Sequence, residues 1–281
     1  MPRRGFCRDS LLLGIRDKTL YVRLHEVASD RDSIMRPLVQ MYGGVHDDPG
    51  SRQRFLAELA KRDAPHFVAV EWERSVFERL VLWRPWIERE LCQRSRFLDS
   101  AGCRELSLAL AWEGDAHIER FPSVDCLWLE EGYQEADLQR RSGGKDDDFL
   151  KGLAGTLLER LINPSSITMG EFLATATSPP EPQSKGELID RVSKKAWAEA
   201  SGSESQDFAR DERWAMAIAE RSARLHSGWI AVVVGWAHAN PKGDDRRLRG
   251  LLSSRGFNVN PVCLAPGGPR APLRNDGTDA H

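Results

Sequence analysis

Residues 37–71 read PLVQMYGGVHDDPGSRQRFLAELAKRDAPHFVAVE, and in them two apolar runs bracket one helical pattern. The first run, Pro37-Leu-Val-Gln-Met-Tyr42, is short and ends in glycines, which suits a buried strand entering a turn. Between Ser51 and Arg62 the apolar residues Phe55, Leu56, Leu59 and Ala60 recur at helical spacing, and Pro65 closes the pattern. Phe67-Val-Ala-Val70 then reads as a second buried strand. A strand–helix–strand unit of this length favours a parallel pair joined by a right-handed crossover.

Working outward, residues 74–96 and 104–113 read as helices rich in Leu, Arg, Glu and Trp, with Pro85 kinking or dividing the first. Val124 to Leu129 reads as a strand and Phe149 to Leu161 as a helix. Lys185–Ala200 and Asp207–Leu225 follow as two further helices. Trp229-Ile-Ala-Val-Val-Val234 is the most strand-like run of the chain. A helix around Asp244–Ser254 carries Leu248, Leu251 and Leu252 on one face, and Phe257–Leu264 supplies a last strand. This alternation predicts an α/β fold with a central, mostly parallel sheet and helices on both faces, as a single domain with a helical insertion. The domain is expected over 37–265. A mobile loop is expected about 163–186, where Pro164, Pro179, Pro180 and Pro182 fall among Ser and Thr. Residues 1–36, with Thr19–Val27 as a possible strand, form an N-terminal segment without a clear connection to the rest. Residues 266–281, rich in Pro, Gly and charge, are expected to be a disordered tail.

At 281 residues, with 41% hydrophobic and 29% charged residues, the composition is that of a globular protein. A formal net charge of −2 gives no broad electrostatic reason to expect nucleic acid or an anionic membrane as partner. The five cysteines form no CxxC, which fits free thiols in a reducing compartment. Leu11–Ile15 is too short for a secretory core and is closed off by Arg16, Asp17 and Lys18, and no run approaches the ~20 apolar residues of a membrane span. Cytoplasmic residence is the expectation. P-loop, GxGxxG and GxSxG phrases are absent, so nucleotide binding and serine-esterase chemistry find no support.

Two phrases share one GxxH format: Met41-Tyr-Gly-Gly-Val-His46 and Val234-Gly-Trp-Ala-His238. Each sets a glycine three residues before a histidine, directly after an apolar strand. Glycine lets the chain turn sharply there, so each imidazole is presented at the carboxyl edge of the sheet, the edge at which open parallel sheets bind ligands. Glu71 follows the Phe67–Val70 run in the same way, with Glu73 one alternation further and a weaker candidate. Two histidines and a carboxylate form a known divalent-metal set with open positions for water or substrate, and His46, Glu71 and His238 are the candidate ligands. Such an ion lowers the pKa of bound water and polarises a carbonyl. In Arg210-Asp-Glu-Arg213, Asp211 reads as a helix cap with Glu212 favoured at the same end. Arg210 and Arg213 offer rigid donor forks for an oxyanion or a carboxylate. His25, His66, His117 and His226 have no matching context, and the scattered tryptophans read as core or pocket wall.

Gly-Gly-Val-His46, a helix, and Phe-Val-Ala-Val-Glu71 resemble the opening of the TraB/PrgY-like proteins. Arg210-Asp-Glu-Arg-Trp-Ala-Met216 and Val-Val-Val-Gly-Trp-Ala-His238 resemble their closing segment. That group is related to the Tiki metalloproteases, the ChaN-type haem-binding lipoproteins and the erythromycin-esterase-like enzymes. The resemblance covers about a third of the chain, and Trp236 and Ala237 depart from the usual small residues of the second motif. It implies an α/β fold with one cleft holding His46, Glu71 and His238, with Arg210 before the late helix. For the Tiki-like branch it implies hydrolysis dependent on a divalent metal such as Mn or Co, with Zn also a candidate.

The leading expectation is therefore a metal-dependent hydrolase of amide or ester bonds acting on a small molecule or peptide. Glu71, His46 and Arg210 are the catalytic candidates, Glu71 as base on the water and Arg210 steadying the oxyanion. The alternatives are a metal-independent, esterase-like hydrolase with a histidine base, and a non-catalytic protein that holds haem or a peptide in the same cleft.

Overall fold

The computed structural model describes residues 36–143, 145–164, 181–200 and 208–266. Expectations for residues 1–35, for the loop over 165–180 and for the tail beyond 266 lie outside them.

The chain runs β1 (Leu38–Gly44), α1 (Pro49–Leu59), β2 (Val68–Val70), α2 (Arg74–Val81), α3 (Arg84–Arg94), α4 (Ser100–Ser107), two 3₁₀ turns (Trp112–Gly114 and Ala116–Glu119) and β3 (Cys126–Trp128). It continues through α5 (Gln134–Ser142), α6 (Asp146–Ile162), α7 (Lys185–Ala200), α8 (Phe208–Ser222), β4 (Trp229–Gly235), the one-turn α9 (Trp236–Ala239), α10 (Leu248–Ser254) and β5 (Asn258–Cys263). Pro85 divides α2 from α3 by taking the first turn of α3, where its missing N–H costs nothing. The helix expected over 104–113 starts earlier, capped by Asp99, and ends at Ser107.

The five strands form one sheet in the order β3-β2-β4-β1-β5, and every pairing is parallel. The sequence pattern suggests β1 and β2 as a pair; instead β4 is inserted between them. The strand residues alternate between two cores, as a sheet covered on both faces requires. Tyr42, Val68, Val70, Ala231 and Val233 pack with Phe55 and Leu59 of α1 and with Leu80, Ile87, Leu106 and Leu157 of the helices on that face. Val39, Met41, Ala69, Ile230, Val232 and Val234 pack with Trp214 and Ile218 of α8 and with Leu248 and Leu252 of α10. The chain leaves β1 toward α1 on the first face and leaves β4 toward α9 and α10 on the second. Because β1 and β4 are neighbours, their outgoing segments diverge at the carboxyl edge, the switch point at which open α/β sheets form their ligand crevice. Among the described residues no helix is long and apolar enough to cross a membrane.

Candidate active site

All four site residues expected from the sequence meet in this crevice. His46 lies two residues past Gly44, and His238 three past Gly235, and those glycines face each other in the β1–β4 register. Val70 is level with Val233, so Glu71 arrives beside the end of β4. There the Gly235 N–H donates to Glu71 Oε2 at 2.7 Å.

The motif glycines serve space rather than a turn. Gly235 has φ −56°, and neither Gly43 nor Gly44 has a positive φ. A Cβ on Gly43 would stand 2.4 Å from Trp236 Cε3 and 2.9 Å from Ala239 Cβ, so glycine is what lets α9 lie directly on β1. A Cβ on Gly235 would come 3.4 Å from Glu71 Oε2, 3.6 Å from His238 Cδ2 and 3.7 Å from His46 Nε2. That backbone position is the point where the three side chains converge.

Each imidazole is held at Nδ1 by its own buried carboxylate. His46 Nδ1 is 2.7 Å from Glu113 Oε1, and the other oxygen of Glu113 accepts from Trp72 Nε1 at 3.2 Å. His238 Nδ1 is 2.5 Å from Asp211 Oδ1, whose second oxygen lies 3.5 Å from Arg247 Nη1. Glu113 and Asp211 are 2% and 0% exposed. With both Nδ1 atoms so engaged, the Nε2 atoms are the ones left to face Glu71: His46 Nε2 is 3.5 Å from Oε2 and His238 Nε2 is 3.7 Å from Oε1. Asp211 stands inside the first turn of α8, on the face that carries Trp214, Ala215 and Ile218. It serves His238 rather than a cap.

Arg210 Nη2 donates to Glu71 Oε1, lies 3.2 Å from His238 Nε2, and its guanidinium stacks on the Trp214 ring 4.6 Å away. Its Nε lies 3.3 Å from Glu130 Oε1, at the end of β3. Arg210 therefore acts first on protein carboxylates. Arg213 is turned away onto the ring of Tyr133. Glu73 receives the Glu135 N–H at 2.8 Å and fastens α5, a structural task. His66 bonds the Ser227 carbonyl, and His117 is buried elsewhere. Cys92, Cys103, Cys126 and Cys263 are free thiols.

Charge follows from this packing. Burial opposes protonation of His46, but Glu113 and Glu71 outweigh it and hold the imidazole pKa well above its ordinary value. Burial alone would raise the Glu71 pKa; His46, His238 and Arg210 instead hold it well below the usual carboxylate range. Burial also raises the carboxyl of Glu130, against the pull of Arg210. The chemistry of the donors suits a divalent ion, since an imidazole anchored at Nδ1 by a carboxylate is the usual state of a metal-ligating histidine. The placement does not: Arg210 Nη2 sits on both Glu71 Oε1 and His238 Nε2, and among the described residues no group of three or more His, Cys, Asp and Glu side chains is arranged as a metal site.

Glu113 and Asp211 escaped the sequence reading as site residues. Asp211 stood in the quoted phrase next to Arg210; Glu113 carried no local signal.

Comparison with protein-family models, with curated proteins and with solved structures gives no match to this chain.

Proposed function

We propose that the chain is a hydrolase of ester or amide bonds whose working groups are His46, Glu71, His238 and Arg210. The observation that carries this reading is the convergence of two carboxylate-anchored imidazoles on one ionised glutamate at the switch point of the sheet. His46 is the general base. Its side chain is 39% exposed, against 6% for His238, so a water and a substrate carbonyl have access to its Nε2. His46 Nε2 takes a proton from the attacking water as the oxygen bonds to the carbonyl carbon. The same proton then passes to the leaving oxygen or nitrogen as that bond breaks. Glu71 and Glu113 stabilise the imidazolium formed in between. Arg210 holds Glu71 in place by its hydrogen bond to Oε1, and His238 fixes the far side of the pair. The resemblance to the TraB/PrgY-like proteins implies the same residue set, and a histidine base is what their esterase-like relatives suggest.

A second reading is favoured by the Nδ1 anchors. In it His46, Glu71 and His238 hold Mn, Co or Zn, which when bound supplies Lewis acidity toward a carbonyl. This form would require Arg210 to release both Glu71 Oε1 and His238 Nε2.

The test is turnover of a panel of ester and peptide substrates, with and without chelator, together with metal analysis of untagged protein. The expected result is activity indifferent to chelator and lost in His46→Ala. Activity lost with chelator, and metal content that falls in His46→Ala and His238→Ala, replaces the metal-free form by the second reading. Turnover unchanged in His46→Ala removes both.

A further inference from the structure

The two non-glycine residues with positive φ among those described are Asp47, at 56°, and Ala111, at 51°. Both conformations are disfavoured for residues with a side chain, for Ala111 more than for Asp47. They are bonded to each other: the Ala111 N–H donates to Asp47 Oδ1 at 2.9 Å. One directly follows His46, and the other stands two residues before Glu113. The turn that carries Glu113 is fixed at further points. Trp112 Nε1 donates to the Val45 carbonyl at 3.2 Å, and a Cβ on Gly114 would collide with the Phe77 ring at 2.3 Å. Trp112 is itself fully buried and packs 5.4 Å from Phe55. Backbone strain of this kind costs roughly 1–3 kcal/mol per residue and persists where surrounding structure enforces it, as at functional sites.

We infer that the Trp112–Gly114 turn is a dedicated part of the site, and that Glu113 is a positioning residue that fixes the tautomer of His46. Glu113 Oε1 accepts a hydrogen bond from the Nδ1–H, which leaves the lone pair on Nε2, the atom that faces Glu71. Trp72, bonded to the second oxygen of Glu113 and 5.8 Å from the His46 ring, keeps that carboxylate from turning away. The strained Asp47–Ala111 contact clamps the segment after β1 to the turn, so that His46 and Glu113 meet although 67 residues separate them. The use of the Nε2 lone pair as a base rests on the proposed hydrolase reading; the tautomer does not.

The experiment is therefore made on the tautomer. Long-range ¹H–¹⁵N spectra of histidine-labelled, metal-free full-length protein are recorded at alkaline pH, where His46 is neutral. Its signals are assigned by their loss in His46→Gln. The expected result is a single form with the proton on Nδ1. Glu113→Ala, which removes the acceptor at Nδ1, gives a mixture of both tautomers. A wild-type spectrum with the proton on Nε2 overturns the inference whether or not any variant folds. A single unchanged tautomer in Glu113→Ala does the same. If these spectra come out as expected and no substrate of the panel is turned over, the hydrolase reading fails alone.

Discussion

Gly235→Ala separates the site from the fold. The backbone at Gly235, φ −56° and ψ 143°, is open to any residue, and the new methyl would meet its nearest neighbours at 3.4–3.7 Å, ordinary van der Waals contact. The Gly235 N–H that supports Glu71 is retained. Replacement of glycine by alanine where the backbone permits it stabilises by about 0.4–1 kcal/mol, because the unfolded chain loses freedom. For a domain of this size that corresponds to a rise of roughly 1–4 °C in Tm. Yet the methyl stands among Glu71, His46 and His238, where a water in hydrogen-bond reach of His46 Nε2, ~2.6–3.2 Å, must sit. Displacing that water by about an ångström costs on the order of 10²-fold in rate. Urea denaturation and turnover of the most responsive substrate, measured on the same preparation, check both halves. A stability loss above about 1 kcal/mol would show that the methyl does not fit as the geometry requires. Full activity at unchanged stability would place the chemistry outside the gap between these three side chains and refute the reasoning.

Gly43→Ala is the opposite case: the collision with Trp236 and Ala239 forces α9 off β1, with an expected loss of about 1–3 kcal/mol in urea denaturation. Glu71→Gln leaves Arg210 without its main charge partner in a largely buried setting. The expected cost is about 3 kcal/mol, at the low end for a broken buried pair because the Arg210 side chain is 26% exposed; the added substitution Arg210→Met should recover part of it. Turnover should rise with pH through a midpoint above the ordinary histidine range, since Glu113 and Glu71 favour the protonated imidazole that cannot act as base; a pH–rate profile flat above about 6.5 would contradict this. Burial, then the charge of Glu113, pushes the Asp47 carboxyl up to about 6 from 3.8. The folded state thus binds that proton more tightly than the unfolded one. The resulting penalty is absent below the unfolded value, grows as pH rises, and is complete above about 6. Asp47→Asn keeps an acceptor for Ala111 and tolerates a left-handed backbone, so it should stabilise by about 2–3 kcal/mol near pH 8 and hardly at all near pH 4. An equal gain at both pH values would sink that account.

What the sequence made legible was whatever has a local signature. Buried parallel strands are continuous apolar runs, so β1, β2 and β4 could be read, and with them the residues that leave their carboxyl ends, His46, Glu71 and His238. The half-buried edge strands β3 and β5 were read from patchier stretches. The order of the strands was not legible, because insertion of β4 between β1 and β2 depends on pairings across more than 150 residues that no local pattern records. Asp211 was visible but misassigned. An acid in a first turn is ordinarily read as serving its own helix, and only tertiary packing shows the carboxylate turned inward to His238. Glu113 was hidden altogether. It follows Ala111, a residue with no preference for the left-handed region that it occupies, and the conformation is imposed by Asp47 from the other side of the crevice. The reason given by the sequence for the motif glycines also changed, from a turn to the close approach of α9 over Gly43.

The repeated Gly-x-x-His format has a physical origin that also explains where the repeat ends. β1 and β4 are parallel neighbours in register, with Gly44 opposite Gly235, so the same local grammar delivers two imidazoles to one place. Their settings then diverge. His238 is nearly buried, held between Asp211 and Arg210, with its ring tilted against Trp214 at 5.0 Å between centroids. His46 keeps an open edge and is held from behind by Glu113. Two side chains of the same type, delivered by the same motif, thus reach opposite degrees of solvent access, and in the proposed hydrolase it is the accessible one that meets the substrate. That inequality, set by Glu113 on one side and Asp211 on the other, is why the reactive role is assigned to His46 and the supporting role to His238.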